Sequence, residues 1–254
     1  MFPIGDDNRD RYRTPVINYL LIGLNILVFV LFQGLGENAE FTYAWSTVPA
    51  EIVTGKDYTT PDQRVRDPYS GQLYLIPGLQ PTPISVYLTL LTSMFMHGGL
   101  AHIFGNMLYL WIFGDNLENL LGHGRYLIFY LVTGLLASLA HVFSTIALND
   151  NAFIPSLGAS GAISGVLGGY LLMFPQRRVR VIIIRIVTDV PAIVAVGLWF
   201  VFQVVESLGM LGGGGGGVAY AAHIGGFIAG LALIKLFAIG VQPPRPPTSY
   251  YLRY

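Results

Sequence analysis

The 254-residue chain contains no cysteine and few charged residues. Without cysteine, thiol catalysis, disulfide bonds and thiolate metal sites are excluded. Charged residues make up 11% of the chain, whereas soluble domains carry about 25%, so a water-facing surface cannot be covered and a soluble hydrolase is excluded. The net charge is +0, which gives no reason to expect nucleic acid as a partner. With a mean hydropathy of +0.58, the composition instead indicates a lipid bilayer as the surroundings.

Long apolar runs are what the sequence has in abundance. A transmembrane helix needs roughly 20 apolar residues. Five runs approach or exceed that length and lie at 16–32, 100–120, 126–148, 191–210 and 218–239. A sixth run, 159–174, is shorter. At about 1.5 Å per residue it covers some 24 Å, less than the roughly 30 Å hydrocarbon core, so it must either start below one membrane surface or end above the other. If it starts low, Ser160 at its beginning lies beneath the surface.

The basic residues indicate how the spans are oriented. Lys and Arg accumulate on the cytoplasmic side of a membrane protein. Eleven of the fourteen fall before span one, between spans two and three, between spans four and five, or at the end of span six and beyond. The other three lie in the long first loop, where charge has little weight. The sequence therefore predicts six spans with both termini in the cytoplasm.

We predict an all-α polytopic membrane protein, a six-transmembrane-helix bundle, with three parts. Residues 1–14 form a short cytoplasmic segment, 15–240 the membrane domain, and 241–254 a proline-rich, disordered cytoplasmic tail. Within the domain, 34–99 is a large external loop. The apolar stretch 84–96 is too short to span and is predicted to lie at the membrane interface, since a seventh span would place the terminal arginines on opposite sides.

Four polar residues are predicted to lie at one depth, just below the outer surface. Ser160 begins span four, His223 lies about one turn into span six, and His102 and Asn106 occupy the first turns of span two. These three spans run in the same direction, so their starts meet at one side of the membrane. Serine needs an adjacent base, and histidine is the usual one. We interpret Ser160 as a nucleophile and His223 as its general base.

Acyl transfer also needs hydrogen-bond donors where the oxyanion develops. The backbone N–H of Ser160, at a helix start, is one candidate. His102 and Asn106, at positions i and i+4, share a helix face and are two more; the alternative is that they tie the first loop to span two. No acidic residue lies at this depth in the inner spans; the nearest is Glu206, close to the outer end of span five. We therefore expect a Ser-His dyad and not a Ser-His-Asp triad. Glu206 and Gln203 are interpreted as links between helices or as gate-lining residues.

Glycines predict close helix packing. Small residues four apart let membrane helices approach closely. Two such ridges occur on spans four and six, and Gly158 precedes the first; the ridges are Gly161, Gly165 and Gly169, and Gly226 and Gly230. We expect these ridges to bring Ser160 and His223 into hydrogen-bonding reach. The run Gly212–Gly217 lies between spans five and six, and we hypothesise that it is a mobile cap above the site.

These residues resemble the rhomboid family of intramembrane serine proteases, in particular its bacterial members. The match consists of G-x-S-G at 158–161, A-H-x-x-G at 222–226, and H-x-x-x-N at His102 and Asn106. The resemblance covers most of the chain from 14 to 240. It implies the roles assigned above, with His102 and Asn106 in the oxyanion hole. It also implies that the substrates are other transmembrane proteins, cut near the outer end of a span, and that the chain lies in the bacterial inner membrane.

The sequence departs from the family pattern at two places. Some members carry a tyrosine four residues after the serine, stacked on the catalytic histidine, where this chain has Ser164. Some have a Trp-Arg pair in the first loop, where this chain has Trp45 followed by Ser46. Neither departure removes a reacting group.

Two other functions are weighed. One is a proteolytically silent relative that captures membrane clients, against which the presence of Ser160 and His223 argues. The other is a small transporter, whose expected internal repeats and interrupted helices with midplane charges are not evident. The elbow G-x-S-x-G of soluble hydrolases is absent at 158–162. The zinc motif H-E-x-x-H is also absent, and no metal or other cofactor is predicted. The sequence carries no indication of the oligomeric state.

Overall fold

The computed structural model of the protein describes residues 1–66, 71–208 and 219–241. The hypothesised cap at Gly212–Gly217 and the proline-rich tail, apart from Val241, lie outside the described residues.

Within these ranges the chain forms nine α-helices and five strands. The helices are α1 (Val16–Leu27), α2 (Ala39–Ala44), α3 (Pro49–Thr54), α4 (Thr89–Thr92), α5 (Leu100–Leu121), α6 (His123–Ala147), α7 (Ser160–Met173), α8 (Ala192–Ser207) and α9 (Tyr220–Phe237). The strands are β1 (Phe2–Asp6), β2 (Gln63–Arg66), β3 (Leu73–Ile76), β4 (Arg178–Ile183) and β5 (Ile186–Pro191). A π-helical turn, Val28–Phe32, extends α1.

Each of the six predicted apolar runs forms one long helix: α1 with its extension, then α5, α6, α7, α8 and α9. By length and composition, α6 and α9 are long and apolar enough to cross a membrane. A third candidate is the pair formed by Val86–Phe95 and α5, which are bent by 79° at a short break. The other three are shorter apolar helices.

Several long helices bury polar side chains and expose apolar ones, the reverse of the pattern in a soluble protein. On α1, Asn18 and Asn25 are buried, whereas Leu20 and Leu24 are exposed. On α6, Phe143 is 76% exposed. Contiguous exposed apolar surface of this kind marks an interaction with another apolar phase, as expected for helices that face lipid.

Helix α7 lies at the centre of the bundle, where ten of its fourteen residues are buried. Its neighbours include α5, α6, α8 and α9. Glycine on α9 permits the closest approach, since a Cβ at Gly226 or Gly230 would overlap the carbonyl oxygen of Gly161 or Gly165. The latter two glycines, in turn, make room for α6, where a Cβ would meet Ala137 or Thr133.

The all-α prediction missed a three-stranded antiparallel sheet. Its strand order is β1-β4-β5, so the N-terminal segment pairs with the hairpin between α7 and α8. Alternation is the signal for such a strand, and β4 has it: Val179 and Val181 are fully buried, whereas Arg178 and Arg180 are exposed. In the first loop, β2 and β3 pair as a separate two-stranded sheet.

A polar cluster fastens the N-terminal segment to the bundle. The Asp6 carboxylate accepts hydrogen bonds from Tyr170 Oη at 2.6 Å and Asn116 Nδ2 at 2.7 Å. Arg11 donates to Asp115 at 2.7 Å. Asn116 and Asp115 lie towards the end of α5, and Tyr170 lies towards the end of α7. The sheet therefore covers the end of the bundle opposite Ser160 and His102.

Candidate active site

The starts of three helices meet at one point. Ser160 is the first residue of α7, His223 the fourth of α9 and His102 the third of α5. Ser160 Oγ lies 2.8 Å from His223 Nε2. The two residues predicted to form a dyad are thus within hydrogen-bonding distance although they are 63 positions apart in the chain.

The pair opens into a cavity of about 500 Å³. Its lining includes His102, Asn106, Ser160, Trp199, Gln203 and His223. All four residues that the sequence placed at one depth therefore face one space. The cavity is large enough to hold several water molecules, each of which occupies roughly 30 Å³ in the liquid.

His102 is oriented by the backbone. Gly98 N–H donates to His102 Nδ1 at 3.3 Å, so the ring proton resides on Nε2. The ring edge lies against Gly158, where a Cβ would be 2.9 Å from Nε2 and 3.6 Å from Ser160 Oγ. Gly158 has φ +122° and lies before α7, so this glycine accommodates the histidine ring and does not pack one helix against another, in contrast to its prediction.

Asn106 lies one turn after His102 and is 8% exposed. Its Nδ2 is buried and has no hydrogen-bond partner among the described residues. A buried donor without an acceptor costs about 1–3 kcal/mol, and such groups in native proteins call for a functional explanation. Asn106 also lines the cavity beside Ser160, so its amide lies next to the space that an incoming oxygen atom would enter.

A role for Gln203 at the dyad was not predicted. His223 Nδ1 lies 2.7 Å from Gln203 Oε1 on α8, and Gln203 is 7% exposed. Its position as a polar residue in a largely apolar span was the signal, but that pattern does not identify its partner. Glu206, the acidic residue nearest this depth, instead accepts from Tyr220 Oη at 3.5 Å.

Two further contacts hold the surroundings in place. Ser164, where some relatives have a tyrosine, donates to the carbonyl of Ser160 at 2.6 Å. Gln33 accepts from the backbone N–H of His97 at 3.0 Å and donates to its carbonyl at 2.8 Å. The His97 ring then packs edge-on against His102, with 5.2 Å between ring centroids. The first contact fixes the backbone of Ser160, and the second fixes the residue whose ring packs against His102.

The site combines a hydroxyl, an imidazole nitrogen beside it and further donors that face the same cavity. This combination is what acyl transfer to a serine requires. Among residues 1–66, 71–208 and 219–241, no group of three or more His, Asp or Glu side chains is arranged to hold a metal ion.

Comparison with known families decides what kind of molecule carries this site. The family model described as "Rhomboid domain" matches residues 85–239, which include all of the site residues above. The chain belongs to the rhomboid family. The resemblance seen in the sequence is thereby confirmed, and the family makes this chain an integral membrane protein.

Individual relatives agree with this assignment. The chain is 31% identical to "Rhomboid protease GluP" of Bacillus subtilis over 83% of its own length and 35% of that protein. It is 29% identical to "Rhomboid protein 1, mitochondrial" of Saccharomyces cerevisiae, over 84% of this chain and 51% of the relative. It is also 29% identical to the human "Presenilin-associated rhomboid-like protein, mitochondrial", over 63% and 43%. The chain spans about a third to a half of the length of these relatives.

Proposed function

We propose that this rhomboid is an intramembrane serine endopeptidase that cleaves transmembrane segments of other proteins near the outer face of the membrane. The observation that carries the proposal is the 2.8 Å contact between Ser160 Oγ and His223 Nε2. It lies in a cavity that is also lined by Asn106, whose buried Nδ2 has no hydrogen-bond partner among the described residues. A dyad and an oxyanion donor in one cavity favour catalysis over the alternative, a relative that only captures membrane clients.

The reaction proceeds through an acyl-enzyme. His223 Nε2 takes the proton of Ser160 Oγ while Oγ forms a bond to the scissile carbonyl carbon. The resulting oxyanion accepts hydrogen bonds from Ser160 N–H, His102 Nε2–H and Asn106 Nδ2–H. When the tetrahedral species collapses, the C–N bond breaks and His223 returns the proton to the leaving amine. Water then attacks the ester by the same route, releases the acid product and restores the Ser160 hydroxyl.

The proposed topology has six spans, with both termini in the cytoplasm. The bundle supports it, since α5, α7 and α9 all begin at the reacting end, and the sheet with Arg178 and Arg180 covers the opposite end. Helix α7 has 14 residues, or about 21 Å at 1.5 Å per residue. It is shorter than the hydrocarbon core, and in the proposed topology it is the outer end that stops short, which puts Ser160 below the outer surface. Water reaches it through the polar cavity, because lipid supplies none.

The same proposal assigns the parts of the chain. Residues 1–14 form the cytoplasmic segment, although it includes β1, 15–240 the protease domain and 241–254 a cytoplasmic tail. We place the protein in a bacterial inner membrane because its relatives include the protease of Bacillus subtilis. The reaction as written uses no cofactor, and its partners are the lipid bilayer and transmembrane protein substrates.

The topology is testable because the chain has no cysteine of its own. Single cysteines introduced by Lys56→Cys and Arg185→Cys report on the first loop and on the loop between α7 and α8. In intact cells a membrane-impermeant maleimide should label position 56 and not position 185. Labelling of both or of neither before permeabilisation, with labelling of both afterwards, would contradict the proposed orientation.

The activity is tested by reaction of the detergent-purified protein with a fluorophosphonate probe, which labels activated serines. Wild type should be labelled, and Ser160→Ala and His223→Ala should not be, while all three elute as folded protein. Wild type that is folded and unlabelled would remove the protease proposal and favour the client-binding alternative.

A further inference from the structure

His223 has a hydrogen-bond partner at each ring nitrogen. Nε2 lies 2.8 Å from Ser160 Oγ on α7, and Nδ1 lies 2.7 Å from Gln203 Oε1 on α8. The imidazole is thus held between two helices other than its own. Because both partners are at normal hydrogen-bond distances, the ring orientation is fixed by polar contacts at both edges.

The partner at Nδ1 decides where the imidazole proton resides. A neutral imidazole has one N–H and one lone pair, and the hydrogen bond made by one nitrogen determines the state of the other. Gln203 Oε1 is an acceptor only, so Nδ1 carries the proton. Nε2 then presents its lone pair to Ser160 Oγ, which is the form that can remove the serine proton. A buried aspartate does this in Ser-His-Asp enzymes.

Other groups near His223 do not replace this contact. Ser164 stands where some family members have a tyrosine stacked on the histidine, but its hydroxyl donates to the carbonyl of Ser160. The aromatic rings of Trp199 and Tyr220 lie 6.2 and 6.3 Å from His223, tilted or edge-on. Among the described residues, the His223 ring forms its hydrogen bonds with Ser160 and Gln203.

We infer that Gln203 is a positioning residue that holds His223 in the Nδ1-protonated form and so makes Nε2 the base for Ser160. This inference rests on the proposed function. It makes α8 part of the catalytic apparatus, because the dyad is competent only while α8 presents the amide to His223. A cavity of about 490 Å³ lies between α8 and α5, lined in part by Tyr109, Phe113 and Gln203, so the helix that carries the amide borders open space on that side.

Two substitutions at position 203 distinguish the effect of the hydrogen-bond acceptor from the effect of side-chain size. Gln203→Met keeps the length but offers only a weak thioether acceptor, and Gln203→Glu replaces the amide by a stronger acceptor. Val201→Met, on the exposed surface of α8, is the matched control. We expect Gln203→Met to lower kcat about 10- to 100-fold, at or below the lower end of the roughly 100- to 10,000-fold that general base catalysis contributes, because His223 itself is retained. KM and thermal unfolding should stay close to wild type. The control should leave all of these parameters unchanged.

Gln203→Glu should keep kcat within a few-fold of wild type and move the acid limb of the pH–rate profile to higher pH. A carboxylate stabilises the imidazolium, so more of His223 remains protonated at a given pH. His102 and His141 are the other imidazoles near His223, and Glu206 and Tyr220 lie above it on α8 and α9; none of these is altered. The shift reports that the side chain at position 203 faces His223, and the loss of kcat in Gln203→Met reports that the enzyme needs the acceptor there. An unchanged kcat in Gln203→Met would overturn the inference.

A measurement without turnover distinguishes this inference from the proposed function. In protein labelled with ¹⁵N-histidine, the nitrogen shifts report the tautomer, and a difference spectrum against His223→Asn identifies this ring. Wild type should show Nδ1 protonated, and Gln203→Met should show a mixture of tautomers. If wild type shows Nε2 protonated, Gln203 does not have this role, whether or not the protein is a protease. If His223 is protonated at Nδ1 but the protein does not react with the fluorophosphonate, the inference about Gln203 stands and the proposed protease function is wrong.

Discussion

The Cα of Gly226 lies against the carbonyl oxygen of Gly161, so close that a methyl group at position 226 would overlap that oxygen. Gly161 directly follows the candidate nucleophile, and Gly226 lies three residues after the candidate base. The backbone contact between α7 and α9 is therefore also what sets the distance between the two reacting side chains.

Gly226→Ala should separate α7 from α9 and weaken the contact between Ser160 and His223. Overpacking at a rigid contact costs typically about 1–3 kcal/mol, so we expect a lower unfolding temperature and at least a ten-fold slower reaction with the fluorophosphonate. Gly23→Ala on α1 is the control, since a Cβ there meets nothing within 4 Å. A Gly226→Ala variant that reacts at the wild-type rate would show that the glycine contact does not set the dyad distance.

This contact illustrates what could be predicted from the sequence. Apolar runs set the number and bounds of the long helices because length and hydrophobicity are properties of a single segment. Span direction predicted that Ser160 and His223 lie at the same end of the bundle, as the starts of α7 and α9 show. Glycine spacing indicated which helices approach closely, but not that Gly161 makes room for Ala137 on α6.

Two features depend on how segments turn relative to one another. Helix α8 is apolar over most of its length, so its hydrophobic pattern does not determine which face meets α9, and the contact between Gln203 and His223 could not be predicted. The sheet joins β1 to β4 across more than 170 residues. The alternation in β4 is short, and its meaning becomes evident only when β1 is placed beside it.

Asn106→Leu tests the oxyanion role. Loss of one such donor costs about 2.7–4 kcal/mol of transition-state stabilisation, a fall in kcat of roughly 100- to 1,000-fold, with KM near wild type. Because Nδ2 has no partner among the described residues, its removal should leave the unfolding temperature equal to or above that of wild type. A leucine that lowers stability and leaves kcat intact would instead assign Asn106 to tying the loop to α5.

Ser138→Ala provides the comparison for Asn106→Leu. Ser138 lies on α6 and donates to the carbonyl of Leu90 at 3.4 Å, outside the residues that line the cavity. This variant should retain kcat, because it removes a polar group that does not face the reacting atoms. The pair distinguishes loss of an oxyanion donor from a general loss of polarity in the membrane domain.

Glu118→Gln tests a helix cap supplied from another helix. Helix α1 has no side-chain cap of its own, and the Glu118 carboxylate on α5 accepts from the backbone N–H of Ile17 at 3.0 Å and of Asn18 at 2.7 Å. The amide of glutamine would turn a donor towards one of these groups. We expect the free energy of unfolding to fall by about 1–3 kcal/mol, measured by thermal unfolding in detergent. Glu37→Gln, at an exposed position, should change nothing; equal unfolding temperatures for both variants would exclude the cap.

Asp6 should make stability depend on pH. Burial, assisted by the nearby charge of Asp115, raises the pKa of the Asp6 carboxyl from 3.8 to about 7, against the opposing hydrogen bonds from Tyr170 and Asn116. Because the folded-state pKa lies above the unfolded one, the stabilising contribution is fully present below 3.8. It declines as the pH rises and is lost above about 7.

Asp6→Asn should therefore flatten the fall in unfolding temperature between about pH 5 and 8, which covers the upper part of the decline and the plateau above it. It should be more stable than wild type at the upper end. Asp7→Asn is the control with the opposite sign, because hydrogen bonding to Arg9 lowers the pKa of the Asp7 carboxyl to about 2. Asp7 is ionised throughout that window, so its contribution to stability does not change with pH there. Removing it should lower the unfolding temperature equally at every pH and leave the wild-type slope unchanged. If Asp6→Asn keeps the wild-type slope while Asp7→Asn behaves as expected, the pH dependence originates elsewhere, and the contact between Asp6 and Tyr170 holds β1 against α7 without titrating.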